Sequence, residues 1–365
     1  MNARRTRRTA WVSALIVPAM FVAGCGGGAD DPDPAPTTPA GGQTSAPAEG
    51  GETTAPEAGG ESSPVEITLA HSYNETQPQH QCGAAVIKEE AEAAGVGLTI
   101  EIFPSSQLGG DADRIASVAS GDIDMDIQGA SALGAVYAPI SVLDAAYAFD
   151  GPEHLSAFMA SDEAKPFIDG FAEEAGVYTL GAWSAGARQF TANDPIRSPE
   201  DLQGQRIRFP GSPQFLMNAR ALGATATEVA YEELYLALQN GTVDGQENPI
   251  TNIKAQNLPE VQDYMSMTSH QLNTNLIIMS SMWNDLSAEQ QEALSAAVDS
   301  AVQRVTECVA EEEQTTIDEW KEAGLIEIIE DVDVDAFREQ AVSYLEGEFT
   351  GESLEAFQAI RATAP

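Results

Sequence analysis

The 365-residue sequence predicts an α/β fold with room for two lobes, and three observations carry that reading. Short apolar runs alternate with helical patterns from Val65 to about Gln246, which implies parallel strands joined by crossovers. About 300 residues follow Pro64, enough for two domains. Late in the chain, one helical pattern opens at Ser287; run unbroken to Gly324, it would be roughly 50 Å long at 1.5 Å per residue, enough to lie along both lobes.

Upstream of these elements, Arg4, Arg5, Arg7 and Arg8 precede an apolar run from Ala10 to Val22 and then Val22-Ala23-Gly24-Cys25. This is the pattern of a secretory signal over residues 1–24 with a lipobox-like end, and the same arginines also allow a twin-arginine reading. The apolar run falls short of the ~20 residues a spanning helix needs, so an anchor is expected and not a span. Similarity to bacterial lipoproteins implies cleavage that leaves Cys25 as the lipidated first residue. Residues 25–64, made largely of Gly, Pro, Ser, Thr, Ala and Glu, cannot bury a core and are expected to form a disordered, lipid-anchored linker.

Val65 to Ala70 reads as a buried strand, with a helix from about Gln79 to Ala94. Leu98 to Phe103 follows as a strand, Asp111 to Ser120 as a helix ended by Gly121, and Ile123 to Ile127 as a third strand. The alternation resumes at Val177 to Trp183 and reaches Val243 to Gln246. In QRIRFP, Ile207 and Phe209 point one way and Arg206 and Arg208 the other, and Pro210 ends the strand. Ser212 and Pro213 then read as the start of a helix that carries Phe215, Leu216, Ala219 and Leu222 and stops at Gly223. A guanidinium at a strand's carboxyl end beside a helix N-terminus favours a bound anion. Ser287 to Gln290 has the capping-box pattern, and Leu294, Ala297, Val298, Ala301, Val302, Val305 and Cys308 repeat at helical spacing after it. Glu311 to Glu313 read as the solvated face of that helix.

The chain holds 17 basic and 57 acidic residues, a formal charge of −40. Setting aside the four signal arginines leaves 13 basic residues against 57, or −44. Nucleic acid and anionic lipid headgroups are poor partners for such a surface. A protein this acidic that binds an anion must concentrate its few cations, so Arg188 in GARQFTAN and Arg208 in RIRFP stand out, with Asn248 after VDGQE. Arginine grips carboxylate through a planar fork that lysine lacks. The other reading of Arg188, Arg206 and Arg208 is surface charge or structural salt bridges.

The run GARQFTANDPIRSPEDLQGQRIRFPGSP, then LGATATEVAYEELYLALQNGTVDGQENP and EVQDYMSMTSH, resembles the dicarboxylate-type substrate-binding proteins of tripartite ATP-independent periplasmic (TRAP) transporters. The resemblance extends upstream through FPSSQLGGDADRIASVASGDIDMDIQGAS and covers almost everything after Pro64. It implies a periplasmic-binding-protein-like fold, with two lobes, a hinge, a ligand cleft and a long helix spanning both. The implied lobes are 65–185 with about 274–313, and 186–273 with about 314–365. It also implies that Arg208 binds the ligand carboxylate, that Arg188 assists, that Asn248 orients both and that Tyr231 packs on the ligand. No chemistry, cofactor or metal is implied. The expected partners are a small organic acid and the membrane permease subunits, with the protein a monomer anchored on the outer face of the cell membrane. C4-dicarboxylates lead among ligands, with keto, hydroxy and sugar acids and sialic acid sharing the same clamp.

Other features carry weaker signals. Cys82 and Cys308, an even pair in an exported chain, predict a disulfide, with two buried thiols as the other reading. Asp122, Asp124 and Asp126 alternate like a calcium loop, but Ile127 stands where that loop needs Gly. AWSAG places Ser184 in a near miss for the nucleophile elbow, so a secreted serine hydrolase is one alternative function and a ligand-sensing subunit another. His71 and Tyr73 follow the first strand, where open α/β sheets bind ligands. Together with Trp183, Gln107, Gln128 and Ser131 they complete the cleft candidates.

Overall fold

A computed structural model describes residues 63–364. The signal segment, Cys25 and all but the last two positions of the expected linker lie outside the described residues.

The strands among these residues are Val65–His71 (β1), Leu98–Phe103 (β2), Met125–Gly129 (β3), Tyr178–Ala192 (β4), Arg206–Phe209 (β5), Thr225–Glu228 (β6), Gly245–Pro249 (β7), Tyr264–Met279 (β8) and Glu327–Ile329 (β9). They form one sheet in the order β2-β1-β3-β8-β4-β7-β5-β6, with β9 on β8. The expected parallel pairing holds at both ends, where β1 lies between β2 and β3 and β5 between β6 and β7. The middle is antiparallel and built by two long strands. The start of β4 pairs with the end of β8, Trp183 beside Asn275, and its second half pairs with the start of β8 and with β7. Sequence periodicity ended the fourth strand at Trp183; it continues to Ala192 because register shifts at Ser184/Ala187 and Arg188/Phe190 absorb its irregularities. Gly186 sits in the shift between Ser184 and Ala187 at φ 100°, and a side chain there would run into Glu313.

The late helix spans Ala288–Ala323, about 54 Å for its 36 residues. Ser287 and Gln290 exchange both bonds of the capping box, and Gly324 closes the helix in the left-handed conformation. Leu294, Ala297, Val298, Ala301, Val305 and Val309 pack into one core with β1, β2 and the helix Ala85–Ala93, while Trp320 packs into another with Leu234, Ile250 and Met265. One helix thus serves both halves of the sheet. Cys308 on this helix is joined to Cys82, in the turn before Ala85–Ala93.

A third core joins the halves. Phe337, Phe357 and Ile360 from the last two helices meet Tyr137 and Phe158 on one side and Phe209 and Phe215 on the other. His154 Nε2 lies 2.9 Å from the Ile360 carbonyl, and Arg361 pairs with Asp150 at 3.1 Å. The terminal helices therefore pack on both expected lobes, because the segment 138–158 turns its apolar face toward them.

Candidate functional site

Arg208 comes from β5. Ile207 and Phe209 fill the core on one face and set the arginines on the other. Arg206, at the strand's open end, is exposed and paired with Asp244 at 2.5 Å. Arg208 is 2% exposed, and its Nε donates to the Val229 carbonyl at 2.8 Å. All other Lys and Arg side chains among the described residues, except exposed Arg220, lie within 4 Å of a carboxylate oxygen. Arg208 has no such partner among the described residues. Burial pushes its guanidinium down to about 10; Glu247 opposes that shift and Arg188 adds to it.

Arg188, just past the β4 register shift at Ser184/Ala187, is the opposite case. Its Nε and Nη2 grip the carboxylate of Glu247, the latter at 2.7 Å, and Nη1 donates to Asn273 Oδ1 at 2.7 Å. The guanidinium also lies 4.8 Å from the centroid of the Phe215 ring. Burial pushes the Glu247 carboxyl up, but the Arg188 charge and the His270 hydrogen bond outweigh it and hold the group below the usual range. Asn248 Oδ1 accepts from Arg188 at 3.2 Å and from Asn252 at 3.3 Å. Of the two arginines expected to be oriented by Asn248, Arg188 is the one it bonds among the described residues. Asn252 in turn accepts from Gln77 Nε2 at 2.9 Å, so an amide chain runs from the loop after β1 to Arg188.

The other half of the sheet buries Arg114, from the helix Asp111–Ser120. Its Nε donates to both oxygens of Asp126 at 3.2 Å, and Nη2 donates to Ser72 Oγ at 2.8 Å and Asp111 at 2.9 Å. Asp126, from the near-miss calcium run, is thus a counter-ion, with burial pushing its carboxyl up to about 7 against the pull of Arg114.

Between these groups lies a cavity of about 280 Å³, lined by Ser72, Asn74, Gln77, Ser105 and Ser106 from one half and by Tyr231, Glu232, Ala255 and Gln256 from the other. Ser106 Oγ donates to Glu232 at 3.0 Å across it. Tyr231 lines the cavity and feels the charges of both Arg208 and Arg188, while burial pushes its phenol up to about 12. Tyr73, whose hydroxyl donates to Asn275 at 2.6 Å, feels Tyr231 and Arg188. Tyr231 thus connects the cavity to the buried arginines.

This arrangement is one of charge matched to polar space. The model of the bacterial extracellular solute-binding proteins, family 7, matches residues 69–350. The chain belongs to that family. It is 33% identical to a solute-binding protein of Roseobacter denitrificans over 64% of this chain and 72% of that protein. A solved structure of that relative, a TRAP periplasmic solute-binding protein with bound L-galactonate, superposes with a TM-score of 0.74 over 81% of this chain and 98% of that one, at 29% identity. A sialic acid-binding periplasmic protein of Vibrio cholerae is 31% identical over 62% of this chain and 71% of its own length. A C4-dicarboxylate-binding periplasmic protein of Rhodobacter capsulatus is 28% identical over 73% and 80%.

As expected of a family 7 solute-binding protein, the chain is not an enzyme. Ser184 lies inside β4 with its Oγ accepting from Gly186 N at 3.2 Å, so no strand-to-helix elbow presents it. Of the sequence-derived candidates, only Tyr231 lines the cavity itself. Trp183 is 1% exposed in the core against the long helix, its Nε1 donating to Asn275 at 3.3 Å. His71 is fully buried, its Nε2 3.1 Å from His80, and burial pushes its imidazole down to about 3. Gln107 is exposed and outside the cavity lining, although Ser105 and Ser106 of the same turn line it. Gln128 donates to Asp126 at 3.2 Å, and Ser131 lines a separate cavity of about 250 Å³. Sequence reasoning missed Glu247, Arg114, Asn74, Gln77, Ser105, Ser106, Glu232 and Gln256.

Proposed function

We propose that this protein is an extracytoplasmic receptor that captures a small organic acid through Arg208 and delivers it to a TRAP membrane permease. One observation carries the reading: in a chain of formal charge −40, Arg208 is the buried cation left without a carboxylate among the described residues. A ligand carboxylate supplies what the fold withholds, through two parallel N–H bonds in a desolvated site. Arg188, already balanced by Glu247, shapes the floor with Asn248, and Tyr231 covers the ligand from the cavity side. Closure brings Gln77 to Asn252 and Ser106 to Glu232, with bending taken up at Gly186, where β4 changes register between the two lobes. Cys25 holds the receptor at the outer membrane face and the segment up to Pro64 tethers it. Related proteins named for sialic acid and C4-dicarboxylates, and the one holding L-galactonate, support the organic-acid class.

A thermal-shift screen of galactonate, gluconate, threonate, sialic acid, succinate, malate and pyruvate tests the reading. At least one acid should raise the melting temperature by mass action, and the shift should vanish in Arg208→Ala. A shift of equal size in that variant would remove Arg208 from the site. For delivery, uptake in cells carrying the permease genes should depend on this chain; uptake unchanged by its deletion contradicts the transport role.

A further inference from the structure

We infer that the ligand carries one carboxylate and an uncharged, hydroxyl-bearing remainder, and that Glu232 enforces this by turning away a second carboxylate. The inference rests on the reading of Arg208 given above and names the ligand class that reading leaves open. A dicarboxylate needs two cationic partners or one cation and a solvated end. Arg208 is one. Arg188 is spent on Glu247, which holds it by two prongs, and Arg114 is spent on Asp126 and Asp111. No lysine, arginine or histidine lines the cavity that Tyr231 opens onto. Apart from Glu232, its one carboxylate, its polar lining is hydroxyl from three serines and Tyr231 and amide from Asn74, Gln77 and Gln256. Hydroxyls and amides both donate and accept, which suits ligand hydroxyls that do the same. A site that hydrogen-bonds such hydroxyls rejects analogues that leave its polar groups unpaired.

Glu232 is placed to act on the far end of the ligand. It sits at the cavity wall beside Tyr231, the residue that also feels Arg208, and its Oε1 accepts from Ser106 across the gap. A ligand carboxylate pointing there would meet a like charge. A ligand hydroxyl in the same place can instead donate to Glu232. Aldonate-like hydroxy acids are therefore set ahead of C4-dicarboxylates.

The test is calorimetric titration of the full chain with two matched pairs, galactonate against galactarate and threonate against tartrate. Within each pair only the far carbon changes, from hydroxymethyl to carboxylate. The single-carboxylate member of at least one pair should bind at least tenfold tighter, and Glu232→Gln should narrow that gap several-fold by improving the dicarboxylate. Equal or tighter binding of galactarate or tartrate would overturn the inference, as would no measurable heat from any of the four, or a gap unmoved by Glu232→Gln. The two readings fail separately. A dicarboxylate that wins but is lost in Arg208→Ala sinks the single-carboxylate inference alone; affinity indifferent to Arg208→Ala sinks the clamp beneath it.

Discussion

The two halves of the sheet each bury a guanidinium, and they treat it in opposite ways. Arg114 in the first half is surrounded by its own counter-charges, Asp126 and Asp111, and by the hydroxyl of Ser72. Arg208 in the second half is just as buried, yet its hydrogen bond goes to a neutral carbonyl. Arg188, also in the second half, follows the Arg114 pattern through Glu247. A guanidinium paired within the fold ties segments together. One buried without a counter-charge makes the unliganded protein less stable than it could be, which is the mark of a group kept for a partner from outside.

That contrast can be broken by exchanging charge for neutral groups on each side. The largest effect is expected at the Arg188 pair. Glu247→Gln leaves Arg188 buried and uncompensated and should cost roughly 3–5 kcal/mol in urea unfolding. A loss under about 1 kcal/mol would mean that this pair does not tie β4 to β7. Arg208→Met should have the opposite sign, stabilising the unliganded protein by about 1–2 kcal/mol because it removes a buried charge with no partner. Destabilisation there as large as at Glu247 would erase the distinction between the two arginines.

A smaller effect sharpens the comparison by pH. Glu313, on the long helix against Gly186, was read from sequence as part of a solvated face, but packing at the β4 register shift half-buries it, and that desolvation pushes its carboxyl up to about 8. A carboxyl raised in the folded state contributes its full stability only below its ordinary value and loses it as pH rises to about 8. Asp126 and Asp144, pushed up by burial to about 7 and about 6, act in the same direction. Unfolding free energy should therefore fall from pH 5 to pH 8.5, and the difference between the natural protein and Glu313→Gln should isolate roughly 2 kcal/mol of that fall. Parallel pH profiles for the two proteins would place Glu313 in solvent after all. The smallest effect is expected from Tyr231→Ala, about 1 kcal/mol or some fivefold in ligand affinity, with unfolding little changed.

How much of this could be read in the sequence depended on periodicity. Alternation in RIRFP set Arg208 on the face opposite Ile207 and Phe209, and the Ser287 box with its apolar stripe set the long helix, as the structure has them. β8 carried no such signal, because most of Tyr264–Met279 is buried on both faces and its polar residues bond to other strands and loops rather than to water. Glu247 was one acid among 57, and nothing local distinguishes a carboxylate whose partner lies 59 positions away. Arg114 was hidden in a polar helix for the same reason, since beyond Asp111 of its own helix its partners come from two loops and β3. The cavity lining was least visible. Ser105 and Ser106 adopt φ of 55° and 56° in an irregular turn tied to Tyr73 and His71, and such loops have no period to detect.

The account turns on whether a ligand carboxylate completes Arg208. Calorimetric titration of the tightest acid from the thermal-shift set, into the natural protein and into Arg208→Met, measures that directly. The account predicts saturable binding in the first and affinity reduced at least about 30-fold in the second, a cost of roughly 2–5 kcal/mol, with the variant folded and no less stable. Equal affinity in the two proteins would contradict it.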